Sequence, residues 1–321
     1  MKLFRLAMAL VLSVGLVTST AAQSYPSKPI QIIVPYAPGG VTDVLARALA
    51  ARLGEAWGQQ AVVLNRPGGN SQVGTEQAAK APADGYTLLV TSDTTFTANP
   101  YLYSKLKYSA DDFIPISGLG ISPQALVVHP SVPAKNLQEL IALAKSGQEK
   151  LFYGTFGIGS SGHLNILNLE QRTGAQFTPV HYSGASPAIT DLLGGHIKMM
   201  IVSIGLIAGH WSNDKLKVLA FGSDKRLARH PDVPVLNEML PGFEAGSWYG
   251  LFVQKGTPPE IVSKISAQTQ RIFNDPAFQN QFLTPSYTYS ITSSPEDFVE
   301  RIRKENDIWR DIIKRTNVSV E

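Results

Sequence analysis

Three glycine-rich loops, each closing a short strand-like apolar run, restrict what this chain can fold into. Ile30–Tyr36 runs into Pro38-Gly39-Gly40, Ala61–Leu64 into Pro67-Gly68-Gly69, and Leu151–Thr155 into Gly157-Ile158-Gly159-Ser160-Ser161-Gly162. After the first loop, Val41, Val44, Leu45, Ala48, Leu49 and Leu53 recur at helical spacing, with Arg47 and Arg52 off that stripe. Gly74–Lys80 reads as a short helix after the second loop, His163–Thr173 as a helix after the third, and Tyr86–Thr91 as another strand. Strands that alternate with helices in this way predict an α/β protein with a largely parallel sheet.

The theme recurs after Ala125–His129, a strand, and Asn136–Lys145, a helix that Asn136 and Glu139 open as a capping box. Pro179–Tyr182, Ile197–Val202 and Leu216–Phe221 read as further strands and Ala188–Leu193 as a helix. Two Pro- and Gly-rich stretches, Ile114–Pro133 and Pro231–Pro259, read as loop-rich crossings, the second enclosing a strand at Trp248–Val253. Helical signals close the chain. Thr257 caps a helix that Pro258 begins, and Ser294, Pro295 and Asp297 open another over Phe298–Lys314. The 321 residues suit two domains. The expected division is residues 23–124 with 248–321 in one lobe and 125–247 in the other.

The N-terminus reads differently. Lys2 and Arg5 precede the apolar run Leu6–Val17, and small residues lead to a cut near Ala22. That is the layout of an export signal, and the run is too short to span a bilayer. Residues 1–22 are therefore expected to be removed, leaving a mature protein in the periplasm. The loss of Lys2 and Arg5 takes the formal charge from +3 to +1, too small for a nucleic-acid footprint. Cysteine is absent, which excludes disulfides, thiolate metal sites and cysteine nucleophiles.

Several motifs fail. Gly157–Gly162 matches GxGxxG, but Phe177–Ser183, where a ribose-binding acid belongs, holds no carboxylate. There is no Walker loop and no GxSxG elbow, and the six histidines have no metal-ligand spacing. No cofactor is expected. A hydrolase using a serine of the Gly/Ser loop with His163 or His181 is the alternative from another class. What survives is physical: a loop at a strand's C-terminal end that opens a helix presents unpaired N–H groups and a partial positive charge. Three such loops predict capture of a small anion in a cleft.

Motifs along the whole mature chain carry a resemblance. They include Val34-Pro35-Tyr36-Ala37-Pro38-Gly39-Gly40 with Asp43, Asn65-Arg66-Pro67-Gly68-Gly69, Asp84-Gly85-Tyr86-Thr87-Leu88, and Asn99-Pro100. Tyr182-Ser183-Gly184, Asp191–Gly195, Pro231-Asp232-Val233-Pro234, Ser247-Trp248-Tyr249-Gly250 and Gly256-Thr257-Pro258 continue it. In order and number they resemble the Bug receptors, the extracytoplasmic receptors of tripartite tricarboxylate transporters. The resemblance implies a two-lobed periplasmic binding protein of flytrap type, with the ligand cleft between the lobes. It implies a monomer that hands a di- or tricarboxylate or an aromatic carboxylate to the membrane subunits of such a transporter. Carried over by position, the ligand residues are Tyr36, Ala37, Pro38, Gly39, Gly40, Gly68, Gly69, Ser71, Thr94 and Thr95 from the first lobe. The second gives Thr155, Phe156, Gly157, Ser160, Ser161, His163 and Ser203. Asp43 is expected to fix its helix start, since like charge would repel an anion.

One departure bears on the ligand. Where the family commonly reads Gln-Val-Asp-Val-Met-Phe-Asp after two glycines, this chain reads His196-Ile197-Lys198-Met199-Met200-Ile201-Val202. Val202 replaces the acid that would pair a ligand ammonium, which predicts an acid without an amino group. Tyr36 and Phe156 in the ligand loops favour an aromatic body.

Overall fold

The computed structural model describes residues 25–320; the expected export signal and its cut near Ala22 lie outside them. The strands are β1 (Ile30–Val34), β2 (Ala61–Asn65), β3 (Thr87–Ser92), β4 (Phe113–Val128), β5 (Phe152–Thr155), β6 (Thr178–His181), β7 (Met199–Ser203), β8 (Lys217–Phe221), β9 (Gly246–Gln254) and β10 (Tyr289–Ser290). The helices are α1 (Val41–Trp57), α2 (Gln72–Ala79), α3 (Thr94–Thr97), α4 (Asn99–Leu102), α5 (Leu137–Ser146), α6 (Ser161–Thr173), α7 (Ala185–Leu193), α8 (Ile204–Trp211), α9 (Leu236–Met239), α10 (Pro259–Phe273), α11 (Pro276–Phe278) and α12 (Pro295–Thr316).

The sheet order is β2-β1-β3-β9-β4-β7-β5-β6, with β8 and β10 also on β4. β1 pairs in parallel with β2 and β3, and β5 with β6 and β7, as the alternation predicts. β4 joins the two halves. From Phe113 to Pro123 it pairs antiparallel with β9, and from Gln124 to Val128 with β7 and β8. The two sets of partners bury separate cores. Ile30, Ile32, Leu45, Leu49, Leu88 and Leu251 belong to one, and Leu126, Val128, Leu140, Tyr153, Met199 and Ile201 to the other.

This strand corrects the expected loop-rich crossing over Ile114–Pro133. Pro115, Gly118, Gly120 and Pro123 sit inside a 16-residue strand, because register shifts at Pro115/Ser117 and Gly118/Gly120 absorb them. Gly118 and Gly120 also let β10 and Ile291 approach the backbone; a Cβ at Gly120 would lie 2.6 Å from Thr288 Cγ2. Smaller corrections follow. Val44 is exposed although it falls on the predicted stripe. α10 starts one residue later than expected, with Pro258 as N-cap, while Thr257 Oγ1 donates to Gln254 O. The N-caps of α5 and α12 form, with Asn136 accepting from Glu139 N at 2.9 Å and Ser294 from Asp297 N at 3.1 Å. The return half of each box does not: Glu139 accepts from Lys135 N and Asp297 from Ser294 Oγ.

Among the described residues, no helix is long and apolar enough to cross a membrane, and no cluster of three or more His, Asp or Glu could hold a metal ion.

Candidate functional site

Three helix N-termini converge where the two lobes face each other. Gly40 caps α1, Gly184 caps α7 and Ser203 caps α8, and no side chain accepts a hydrogen bond from the first turn of any of them. All three residues line a small cavity of about 50 Å³ between the lobes, with Tyr36, Ala37, Val41, Thr42, Ser92, Phe156, Ala185, Val202, Leu206, Ser247 and Tyr249. The lining holds no acidic and no basic side chain. First-turn amides with no side-chain cap are donors that suit an anion. The apolar faces of Val41, Phe156, Val202 and Leu206 suit a hydrocarbon body.

Neighbouring contacts hold this geometry. Asp43, on the first turn of α1, accepts from Gly39 N at 2.9 Å, from Asn65 Nδ2 at 2.9 Å and from Arg47 Nε at 3.0 Å. Burial alone would raise its pKa, but Arg47, the Gly39 N–H and Asn65 outweigh burial and hold the carboxyl below its ordinary value. Asp43 thus organises the loop and is absent from the cavity wall, as expected. Across the cleft, Ser186 Oγ donates to Pro38 O at 3.3 Å, and a Cβ at Gly184 would stand 2.9 Å from Ala37 Cβ. The lobes are closed on one another here, leaving room for only a few waters.

Below the cavity in the first lobe runs a chain of hydroxyls. Tyr36 Oη lies 2.8 Å from Ser92 Oγ and 3.1 Å from Thr95 Oγ1, and Thr95 Oγ1 donates to Ser71 Oγ at 2.9 Å. Asn99 Nδ2 bonds Asn70 O and Ser71 Oγ. The second lobe answers with Thr155 Oγ1 2.9 Å from His181 Nδ1, and Gly159 N donating to His163 Nδ1 at 2.9 Å. Burial, and then His181, depress the His163 pKa to about 4, so its ring is neutral at pH 7. Ser161 Oγ sits 2.7 Å from Ser247 Oγ and accepts from Gln124 Nε2 at 2.8 Å. Among the described residues no serine hydroxyl bonds His163 or His181, so the Ser–His pair of a hydrolase is not formed.

The structure therefore sorts the expected ligand residues. Tyr36, Ala37, Gly40, Phe156 and Ser203 line the cavity, with Pro38 and Gly39 in the same loop. Ser71, Thr94 and Thr95 are buried in or beside the hydroxyl chain, and Thr155, Ser160, Ser161 and His163 are buried behind the third loop. Gly68 and Gly69 stand apart from the cavity, while Gly157 packs towards Asn70 of the second loop. Val41, Thr42, Ser92, Gly184, Ala185, Leu206, Ser247 and Tyr249 also line the cavity, beyond the expected ligand residues. For Gly184, Ser247 and Tyr249 a signal existed, since they lie in motifs that carry the family resemblance.

Comparison with known proteins bears on this geometry. The model of the tripartite tricarboxylate transporter family receptor matches residues 45–318. Protein BugT of Bordetella pertussis is 32% identical over 314 residues, covering 97% of this chain and 96% of its own. Among solved structures, R. palustris Rpa4515 with adipate has a TM-score of 0.88 at 30% identity, covering 92% of this chain and 99% of its own. MatC of Rhodopseudomonas palustris with bound malate scores 0.84 at 29% identity, covering 90% and 100%. A TctC solute-binding protein from Polaromonas with no ligand is 34% identical over 91% of this chain and 100% of its own, yet scores 0.67.

Proposed function

The chain belongs to the receptor family of the tripartite tricarboxylate transporters, and from that premise we propose that it captures a small organic acid lacking an amino group. The family is one of binding receptors, which sets aside the hydrolase. The observation that carries the ligand class is the cavity wall: three uncapped helix N-termini and not one charged side chain. A carboxylate finds donors there. An ammonium would be buried without a counter-charge, which costs several kcal/mol. Tyr36 and Phe156 both face the cavity, which supports a ligand with an aromatic or extended apolar body. Adipate and malate on the R. palustris relatives belong to the same chemical class.

Residues 23–124 with 248–321 would move against 125–247 about two strand crossings, near Pro123–Gln124 and Ala245–Gly246, where β4 changes partners. Gly39, Gly68, Gly69, Ser71, Thr94, Thr95, Thr155, Gly157, Ser160, Ser161 and His163 would support the contact residues from behind. Export with cleavage near Ala22, a monomeric state and delivery to membrane subunits complete the reading. The test is a thermal-shift and calorimetric panel of malate, adipate, benzoate, terephthalate and glutamate on the mature protein. A true ligand at 100 times its Kd should add about 2.7 kcal/mol. Stabilisation by one of the four amine-free acids is the expected result; preferential binding of glutamate overturns the ligand class.

A further inference from the structure

The cavity floor conceals a carboxyl that the receptor reading leaves unused. Asp93 follows β3, caps α3 and is 0% exposed. Its Oδ1 accepts from Thr94 N at 2.8 Å, while Oδ2 has no hydrogen-bond partner. Its own N–H donates to Trp248 O at 3.0 Å, which ties it to the hinge strand β9. The hydroxyls of Ser92 and Ser247 flank the carboxyl, and both residues also line the cleft cavity. Asp93 thus lies one layer beneath the surface that would receive the ligand.

Only the Thr94 N–H and the Ser92 and Ser247 hydroxyls favour an ionised carboxylate there, and burial outweighs them. Glu305 of α12 faces it, itself mostly buried, and Tyr249 approaches from β9. Arg301, on the same helix as Glu305, and Glu244, from the segment before β9, act on Glu305. Among the described residues no cation forms an ion pair with Asp93. An orphaned oxygen in a dry site and a like charge opposite both favour the neutral acid. Burial first, and Glu305 second, push the Asp93 carboxyl well above the usual range.

We propose that Asp93 is a positioning residue that must hold a proton when an anion occupies the cleft, so that carboxylate capture takes up a proton from solvent. The inference rests on the carboxylate-receptor reading. An ionised Asp93 draws the Ser92 and Ser247 hydroxyl protons towards itself and turns their lone pairs to the cavity, where they repel a carboxylate. A neutral Asp93 releases both hydroxyls to donate into the cavity. The ligand's charge also acts directly on Asp93 from a short distance, in a medium that screens poorly. Both effects have one sign: the bound state prefers the protonated acid, so affinity falls as pH rises.

The test is calorimetric titration of the mature protein with malate, adipate, benzoate and terephthalate between pH 7 and 9. Each pH is run in two buffers of different ionisation enthalpy. In this range the ligand carboxyls are ionised, and His163 and His181, both shifted down by burial, stay neutral. For any acid that binds, Kd should rise with pH, steepening towards tenfold per unit where the ligand-free Asp93 is ionised, and proton uptake should grow over the same range. Asp93→Asn, which has the shape of the neutral acid, should flatten the profile and bind about tenfold or more tightly than wild type at pH 9. Glu305→Gln should move the onset of the pH dependence to lower pH. A wild-type profile that is flat with no proton uptake overturns the proposal, as does an Asp93→Asn variant that keeps the slope. The wild-type buffer dependence decides alone if that variant does not fold. Absence of binding by all four acids overturns the receptor reading itself, a result distinct from binding without proton uptake.

Discussion

At the scale of single residues, the chain places its charges where they shape the cleft without entering it. Asp43 holds the first loop through Gly39 N. Its folded pKa lies below the unfolded value of about 3.9, so its stabilisation is present above that pH and is lost as pH falls through the folded value. Asp43→Asn should abolish this acid-side loss in urea unfolding between pH 2 and 5. His163 acts in a higher window. It stays neutral when folded down to about pH 4, whereas the unfolded ring takes a proton near 6.5. Stability should fall by on the order of 2–3 kcal/mol as pH drops through that interval. His163→Gln should remove this fall, as measured by urea midpoints at pH 7.5 and 4.5. Gly184 tests closure: Gly184→Val places atoms against Ala37 and should weaken carboxylate binding about tenfold or more with little change in apo stability. Equal calorimetric Kd values would contradict that.

At the scale of elements, the legible parts were those whose chemistry is local. The loop Tyr36–Gly40 follows from Pro-Gly-Gly after a β-branched run, and the α12 cap from Ser294 and Asp297. Ser294→Ala should cost about 1 kcal/mol, read as a lower urea midpoint. β4 was legible only from Ala125 onwards; before it, prolines and glycines look like a loop until β9, β10 and Ile291 are brought against them. The site shows the same divide. Pro38 and Ser186 are 148 residues apart and meet only because the parallel strands of both lobes end at the cleft. Local pattern could identify α1 as a donor. It could not tell that α7 and α8 point at the same space, nor that the second loop would stop short of it.

At the scale of the whole molecule, two lobes joined by continuous strands are held shut by contacts a solvated cleft would break. α12 crosses the divide, packing Trp309, Ile312 and Ile313 against Ala98 and Leu102 on one side and Leu164 on the other. Small-angle scattering of the ligand-free mature protein should give a radius of gyration above the roughly 19 Å of a compact chain this long, shrinking when a carboxylate binds. Backbone amides at the starts of α1, α7 and α8 should receive the ligand's carboxylate. A crystal structure of the mature protein with the acid that stabilises it most tests this directly. Its carboxylate oxygens should lie within hydrogen-bond distance of amides in the segments following Gly40, Gly184 or Ser203. A ligand seated instead on the Gly68–Ser71 loop, or paired with a charged side chain outside the cavity, would contradict it.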